Sequence, residues 1–209
     1  MSSEERRKKE KENRKNSILK AARKLFLERG FKAVTVDQIA AKADVSKGAI
    51  YLYFDSKEEI YTQILIAANI EQHKEIEFFP RQDATASEIL MRFAKDYVDY
   101  FLHNNELFRI LMTFMLQSEN MNLTEEQNAQ LIHTTNENSR IIAEILHKGV
   151  DSGEFVAGFD IQRMQYAIWA LLNGTISLYI YTGDPNKRSG RIHAIVEDSL
   201  HALMKGIKA

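Results

Sequence analysis

The sequence predicts an all-α fold on three observations. Apolar residues recur at helical spacing through most of the 209 residues, only two Pro and nine Gly interrupt them, and no segment alternates like a half-buried strand. With 44% hydrophobic content the chain can bury one or two cores.

The first fifteen residues hold seven cations and four Glu. Glu–Lys/Arg pairs four apart can extend the next helix upstream, and a basic arm reaching phosphates or a minor groove is the functional alternative. The four Glu dilute the cations, which favours a solvated, frayed terminus. The first clear stripe is Ile18, Leu19, Ala22, Leu25 and Phe26, and Gly30 is a natural stop for it.

Thr35 to Ile60 is the most informative stretch. Thr35 with Gln38 three residues on makes a capping box, and Val36, Ile39, Ala40 and Ala43 form the stripe of a helix of two turns. So short a helix needs packing to persist. The run breaks at Asp44-Val45; Ser46 offers a second cap, and the helix after it buries Ile50 and Phe54. Two helices joined by a tight turn result, sharing a small core with the helix before them.

The outward set of the second short helix is Lys47, Gly48, Ala49, Tyr51 and Leu52, with Tyr53 at the edge and Lys57 opening the next helix. Gly48 and Ala49 let backbone approach a groove, Ser46 offers donors to phosphate, Lys47 reaches phosphate or a guanine edge, and the tyrosines donate to the backbone. These are the chemical needs of a surface that docks on duplex DNA.

Residues from about Arg14 to Ile64, with a T-V-x-x-I-A helix followed by V-S-K-G-x-x-Y-x-Y-F-x-x-K-E-E, resemble the TetR family of transcriptional regulators. The resemblance implies DNA contacts at Thr35, Ser46, Lys47, Gly48, Tyr51, Tyr53 and Lys57. Two positions depart from the family's pattern. Asp44 stands where most members carry Gly, so the turn requires Asp in a left-handed conformation, which Asp tolerates. Ala49 replaces a frequent Thr, removing one hydroxyl.

Charge divides the chain in the same way. Residues 1–57 hold 15 Lys/Arg against 8 Asp/Glu, and residues 58–209 hold 13 against 21, so an overall charge of −1 hides a basic end and an acidic body. The expected organisation is a helix-turn-helix DNA-binding domain over 1–57, with 1–13 a charged arm or helix extension. A larger helical domain over 58–209 would bind an effector and dimerise.

In that body Ile60, Ile64 and Ala67 or Ala68 mark a long helix ending before Pro80. Further helices are expected near 84–103, 106–118, 124–151, 160–181 and 186–205, with breaks at Asp151-Ser152-Gly153 and Thr182-Gly183-Asp184-Pro185. The run Tyr166 to Tyr181 is apolar nearly all round and needs cover on both sides. Leu172, Ile176 and Tyr179 on it, with Ile192, Ile195, Val196 and Leu203 on the last helix, are the expected dimer interface, the four-helix arrangement that the resemblance also implies. Gly174 would permit close helix approach. A dimer also follows from the reader, because two recognition helices about one DNA turn apart read a palindrome.

Tyr97, Phe101, Phe108, Met112, Met115, Met164 and Trp169, with Asn173 as a polar handle, are the candidate lining of an effector pocket, flexible Met suiting an adaptable cavity. Core packing is the bland reading of each. The six His are scattered without metal-ligand spacing, there is no Cys, and no P-loop, GxGxxG or GxSxG occurs. No catalytic residues, metal or cofactor are expected, and the charged N-terminus makes the cytoplasm the expected location. The reading is a homodimeric repressor released from a palindromic DNA operator by a small apolar or aromatic ligand. The alternatives are the same kind of regulator controlled by a protein partner, or an activator.

Overall fold

The computed structural model describes residues 2–75, 84–117, 119, 121–180, 182 and 184–209. Among them the regular elements are nine helices: α1 (Ser3–Arg29), α2 (Val36–Ala43), α3 (Lys47–Tyr51), α4 (Lys57–Glu75), α5 (Ala86–His103), α6 (Asn105–Gln117), α7 (Glu125–Asp151), α8 (Ile161–Tyr179) and α9 (Pro185–Ile207). The described residues include no strand, only an isolated antiparallel bridge between Phe155 and Lys208. Pro80, expected just past α4, lies outside the described residues, as does Gly183 in the expected α8–α9 break.

The terminus expected to fray is helical instead. Ser2 caps α1 through a reciprocal box with Glu5, whose carboxylate accepts from Ser2 N–H at 2.7 Å, and the helix runs without interruption to Arg29. Capping and Glu–Lys/Arg pairing outweigh the absence of any buried side chain before Ile18.

The chain forms two compact units. One comprises residues 1–69 with 106–132, the other residues 70–105 with 133–209. In the first, Ile18, Ala22, Leu25 and Phe26 of α1 are buried together with Ile39 and Ala40 of α2, Ile50 of α3, and Ile60, Tyr61, Ile64 and Leu65 of α4. Phe26, Phe31 and Tyr61 form a ring cluster with centroids 5.1–5.6 Å apart. Tyr61 stands outside the expected stripe because its hydroxyl has a buried acceptor: it donates to the Ile110 carbonyl at 2.7 Å, satisfying a group that burial would otherwise penalise. Phe108, Met112 and Met115 of α6 belong to this unit, Phe108 within its core and Met115 at its surface.

In the second unit α5, α8 and α9 pack together, with Ile89, Leu90, Phe93, Tyr97, Val98 and Phe101 turned inward from α5. Thr85 caps α5, and the Glu154 carboxylate accepts from Ala86 N–H (2.6 Å), Ser87 N–H (3.1 Å) and the Ser87 hydroxyl. An anion at this helix end suits its free donors. Phe155 fills the space over Gly149, where a Cβ would come within 2.1 Å of the ring, so only glycine fits there.

The expected dimer residues are corrected here. Leu172, Ile176, Ile192 and Val196 are at most 3% exposed in a single chain, so they form this unit's own core, while Tyr179, Ile195 and Leu203 are half-buried. The exposed side of α8 carries Tyr166, Ala167, Ala170, Gly174, Ser177 and Leu178 instead. An all-round apolar helix hides which side is inner, and the bulky aliphatics went to the chain's own core.

Candidate nucleic-acid interface

The turn between α2 and α3 is built from caps. Thr35 Oγ1 accepts from Gln38 N–H (3.3 Å) while Gln38 Oε1 accepts from Thr35 N–H (3.0 Å). Asp44 ends α2 in the left-handed region (φ 56°, ψ 48°), the conformation its substitution for Gly requires. Val45 N–H then donates to Ala40 O at 3.0 Å, and Ser46 Oγ accepts from Ala49 N–H at 3.1 Å to start α3. Ile50 and Phe54, each 1% exposed, seat α3 on the core.

That seating leaves one face outward. Ser46, Lys47, Gly48, Tyr51 and Leu52 are exposed, Leu52 at 77%, with Ala49 and Tyr53 half-buried and Thr35 exposed at the start of α2. An aliphatic side chain left that bare on a five-residue helix is available to a partner. A Cβ at Gly48 would meet nothing nearer than Ser46 Oγ at 4.0 Å, so the protein's own packing does not require glycine there.

The two lysines differ from expectation. Lys47 Nζ is paired with Asp37 Oδ2 at 2.8 Å, and the hydrogen bond and charge of that carboxylate raise the lysine pKa above its ordinary value. Lys57 is turned inward. Its ammonium donates to the Phe31 and Val34 carbonyls, both at 3.0 Å, and lies 4.3 Å from the Phe31 ring centroid. With two of three protons committed to the α1–α2 loop, Lys57 is a strut of the reader, a correction to its expected role at phosphate. Sequence reasoning also missed Asp37, whose signal was its place in the first turn of α2, and Lys15, whose Nζ lies 5.9 Å from the Phe54 ring centroid.

Of the expected pocket residues, the second unit brings together Tyr97, Phe101, Trp169 and Asn173. Tyr97 donates to Asn173 Oδ1 (2.9 Å), Asn173 donates to Trp169 O (2.9 Å), and Phe101 meets Tyr97 edge to face at 5.0 Å. Burial, partly offset by the Asn173 hydrogen bond, pushes the Tyr97 phenol well above its ordinary range. Met164 is half-buried on α8. Phe108, Met112 and Met115 are in the other unit and do not join this cluster. Grooves of about 670 and 350 Å³ run between α5 and α9, and none of the eight residues lines them. Among the described residues no group of three His, Asp or Glu is arranged to hold a metal, and no helix is long and apolar enough to cross a membrane.

A capped two-helix turn seated on a three-helix core, with a small, bare, partly cationic outer face, defines a helix-turn-helix DNA-binding protein. The chain belongs to the TetR family of transcriptional regulators. Residues 18–64 match the bacterial regulatory proteins of the tetR family, and residues 83–188 match the tetracyclin repressor-like C-terminal domain. Over 199 residues the chain is 26% identical to the fatty acid metabolism regulator protein of Bacillus subtilis, covering 95% of this chain and 98% of that one. The TetR family regulator PfmR of Thermus thermophilus has a TM-score of 0.70 and 25% identity, covering 92% of this chain and 99% of its own. The B. subtilis regulator FadR, crystallised with stearoyl-CoA, shares the fold at a TM-score of 0.73 and 24% identity over 91% and 98% of the two chains.

Proposed function

We propose that the protein is a homodimeric repressor, working in the cytoplasm, that reads a palindromic operator through residues 1–57 and is released by an apolar ligand held in residues 58–209. Its DNA contacts are Thr35, Ser46, Lys47, Gly48, Ala49, Tyr51, Leu52 and Tyr53. The single observation that carries this is Gly48. Glycine costs a helix about 1 kcal/mol against alanine, nothing inside the protein uses the space, and a backbone pressed against another surface explains it.

The ligand reading rests on the second unit. Thr135 Oγ1 and Trp169 Nε1 are buried without a hydrogen-bond partner, each four residues from the Gln165–Ser139 hydrogen bond that ties α8 to α7. Orphaned polar atoms of this kind are costly unless something else supplies the partner, here a polar group on an otherwise apolar ligand. The relative named for fatty acid metabolism, similar over nearly its whole length, favours a ligand with an acyl chain. A ligand that binds the released state better shifts the population away from DNA.

The test is a Lys47→Ala, Tyr51→Ala double variant. It should retain its fold and lose specific binding to the duplex upstream of its own gene. Binding equal to wild type at moderate salt would refute the assignment of the DNA site.

A further inference from the structure

α1 is 27 residues long, yet its first buried side chain is Ile18, so about four turns stand clear of the core. Helical geometry sorts the charges that alternate in the sequence. The line that buries Ile18, Ala22 and Leu25 continues upstream, in steps of three and four, through Lys15, Arg14, Lys11, Lys8 and Arg7, with Glu4 last. The other three Glu lie off it. Glu5 is engaged in the cap with Ser2, and Glu10 pairs with Arg6 at 3.4 Å on the flank. One contact orients the line: Lys15 Nζ lies over the Phe54 ring, three residues past the end of α3. The cationic line therefore continues the side of α1 that meets the helix-turn-helix.

We propose that this face of α1 is a second DNA-backbone contact, laid on phosphates beyond those reached by α2 and α3. The proposal rests on the DNA-binding reading and extends its footprint. Charge complementarity carries it. Five cations fall within about 12 Å of helix axis, and a duplex carries one negative charge per ~1.7 Å. The cap at Ser2 and the Arg6–Glu10 pair hold the overhang helical, so the cations are displayed on one side before DNA arrives. Such contacts raise affinity and fix register without reading sequence.

The experiment compares two variants that remove the same charge from the same helix, Arg7→Gln with Lys11→Gln on the line and Arg6→Gln with Lys9→Gln off it. Both are titrated, across a range of salt, with a duplex selected by the wild-type protein from a random pool. The on-line pair should flatten the slope of log affinity against log salt by about 1.8, for two phosphates released, while the off-line pair leaves it unchanged. Far-UV circular dichroism checks that both keep α1. Equal effects of the two pairs, or an unchanged slope with the on-line pair, would overturn the proposal. So would loss of binding to anionic phospholipid vesicles with DNA binding intact. If the Lys47→Ala, Tyr51→Ala variant loses the duplex while the on-line pair does not, only this second contact fails. If that double variant binds like wild type, the DNA-site reading itself fails.

Discussion

Lys47 Nζ and Asp37 Oδ2 lie 2.8 Å apart, joining the first residue of α3 to the first turn of α2 on the face proposed to meet DNA. Both side chains are more than half exposed, so the pair adds little to stability and a phosphate can take the carboxylate's place. Asp37→Asn should leave thermal stability nearly unchanged and tighten binding to DNA at low salt, an advantage that shrinks as salt rises. Lys47→Ala should weaken binding to all sequences alike and lower the salt slope by about 1. Titrations at several salt concentrations check both, and weaker binding by Asp37→Asn would show that the carboxylate positions the lysine.

Gly48 predicts opposite effects on stability and binding. Because a Cβ has room in the free protein, Gly48→Ala should raise stability by roughly 0.5–1 kcal/mol, yet weaken operator binding by holding the backbone off the groove. Denaturant unfolding and a gel shift on the same preparation measure the two. Unimpaired binding would remove the close approach.

Lys57 should behave as a structural residue. Lys57→Ala strips donors from the Phe31 and Val34 carbonyls and should cost about 1–3 kcal/mol, while the salt slope of DNA binding by the folded protein stays as in wild type. A flatter slope would return Lys57 to the phosphate contacts.

The exposed side of α8 makes the dimer testable. Leu178, 67% exposed, lies one turn past Gly174, and nothing else in the chain comes within 4 Å of a Cβ built at Gly174. Leu178→Lys should give a folded monomer with weakened operator binding. Sedimentation showing a wild-type dimer would move the interface elsewhere.

Asp99 accepts from Lys95 at 2.7 Å and His193 at 2.8 Å. Its partial burial works toward a higher pKa, but hydrogen bonds and charge from these two cations outweigh it and hold the carboxyl below its usual value. A depressed folded-state pKa means stability that is present above the unfolded-state value near 4 and lost as pH falls through the lower, folded one. Wild type should therefore be more stable than Asp99→Asn at pH 6, and the gap should close below about pH 4. Melting curves across that range decide; a gap persisting at the lowest pH would mean that the carboxylate's charge is not its source.

Much of the reader was legible because its signals are local. Caps at Thr35 and Ser46, the left-handed Asp44 and the short stripe each depend on neighbours within four residues, and so do the helices of the body. The pocket was only half legible, since Tyr97 and Asn173 meet across 76 positions while Phe108, Met112 and Met115 share their composition but not their unit.

The sequence by itself determined the helices, their caps and the separation of a basic end from an acidic body, because periodicity and charge are properties of the chain. Only the tertiary structure decided which side of each helix faces in. It turned Lys57 toward two carbonyls, gave Lys47 a partner, and sent Leu172 and Ile176 into the chain's own core. It also set the cations of α1 on the side that meets Phe54. The physical reason is common to all of these: a side chain's role depends on what lies opposite it, and that partner is brought there by the fold from elsewhere in the chain.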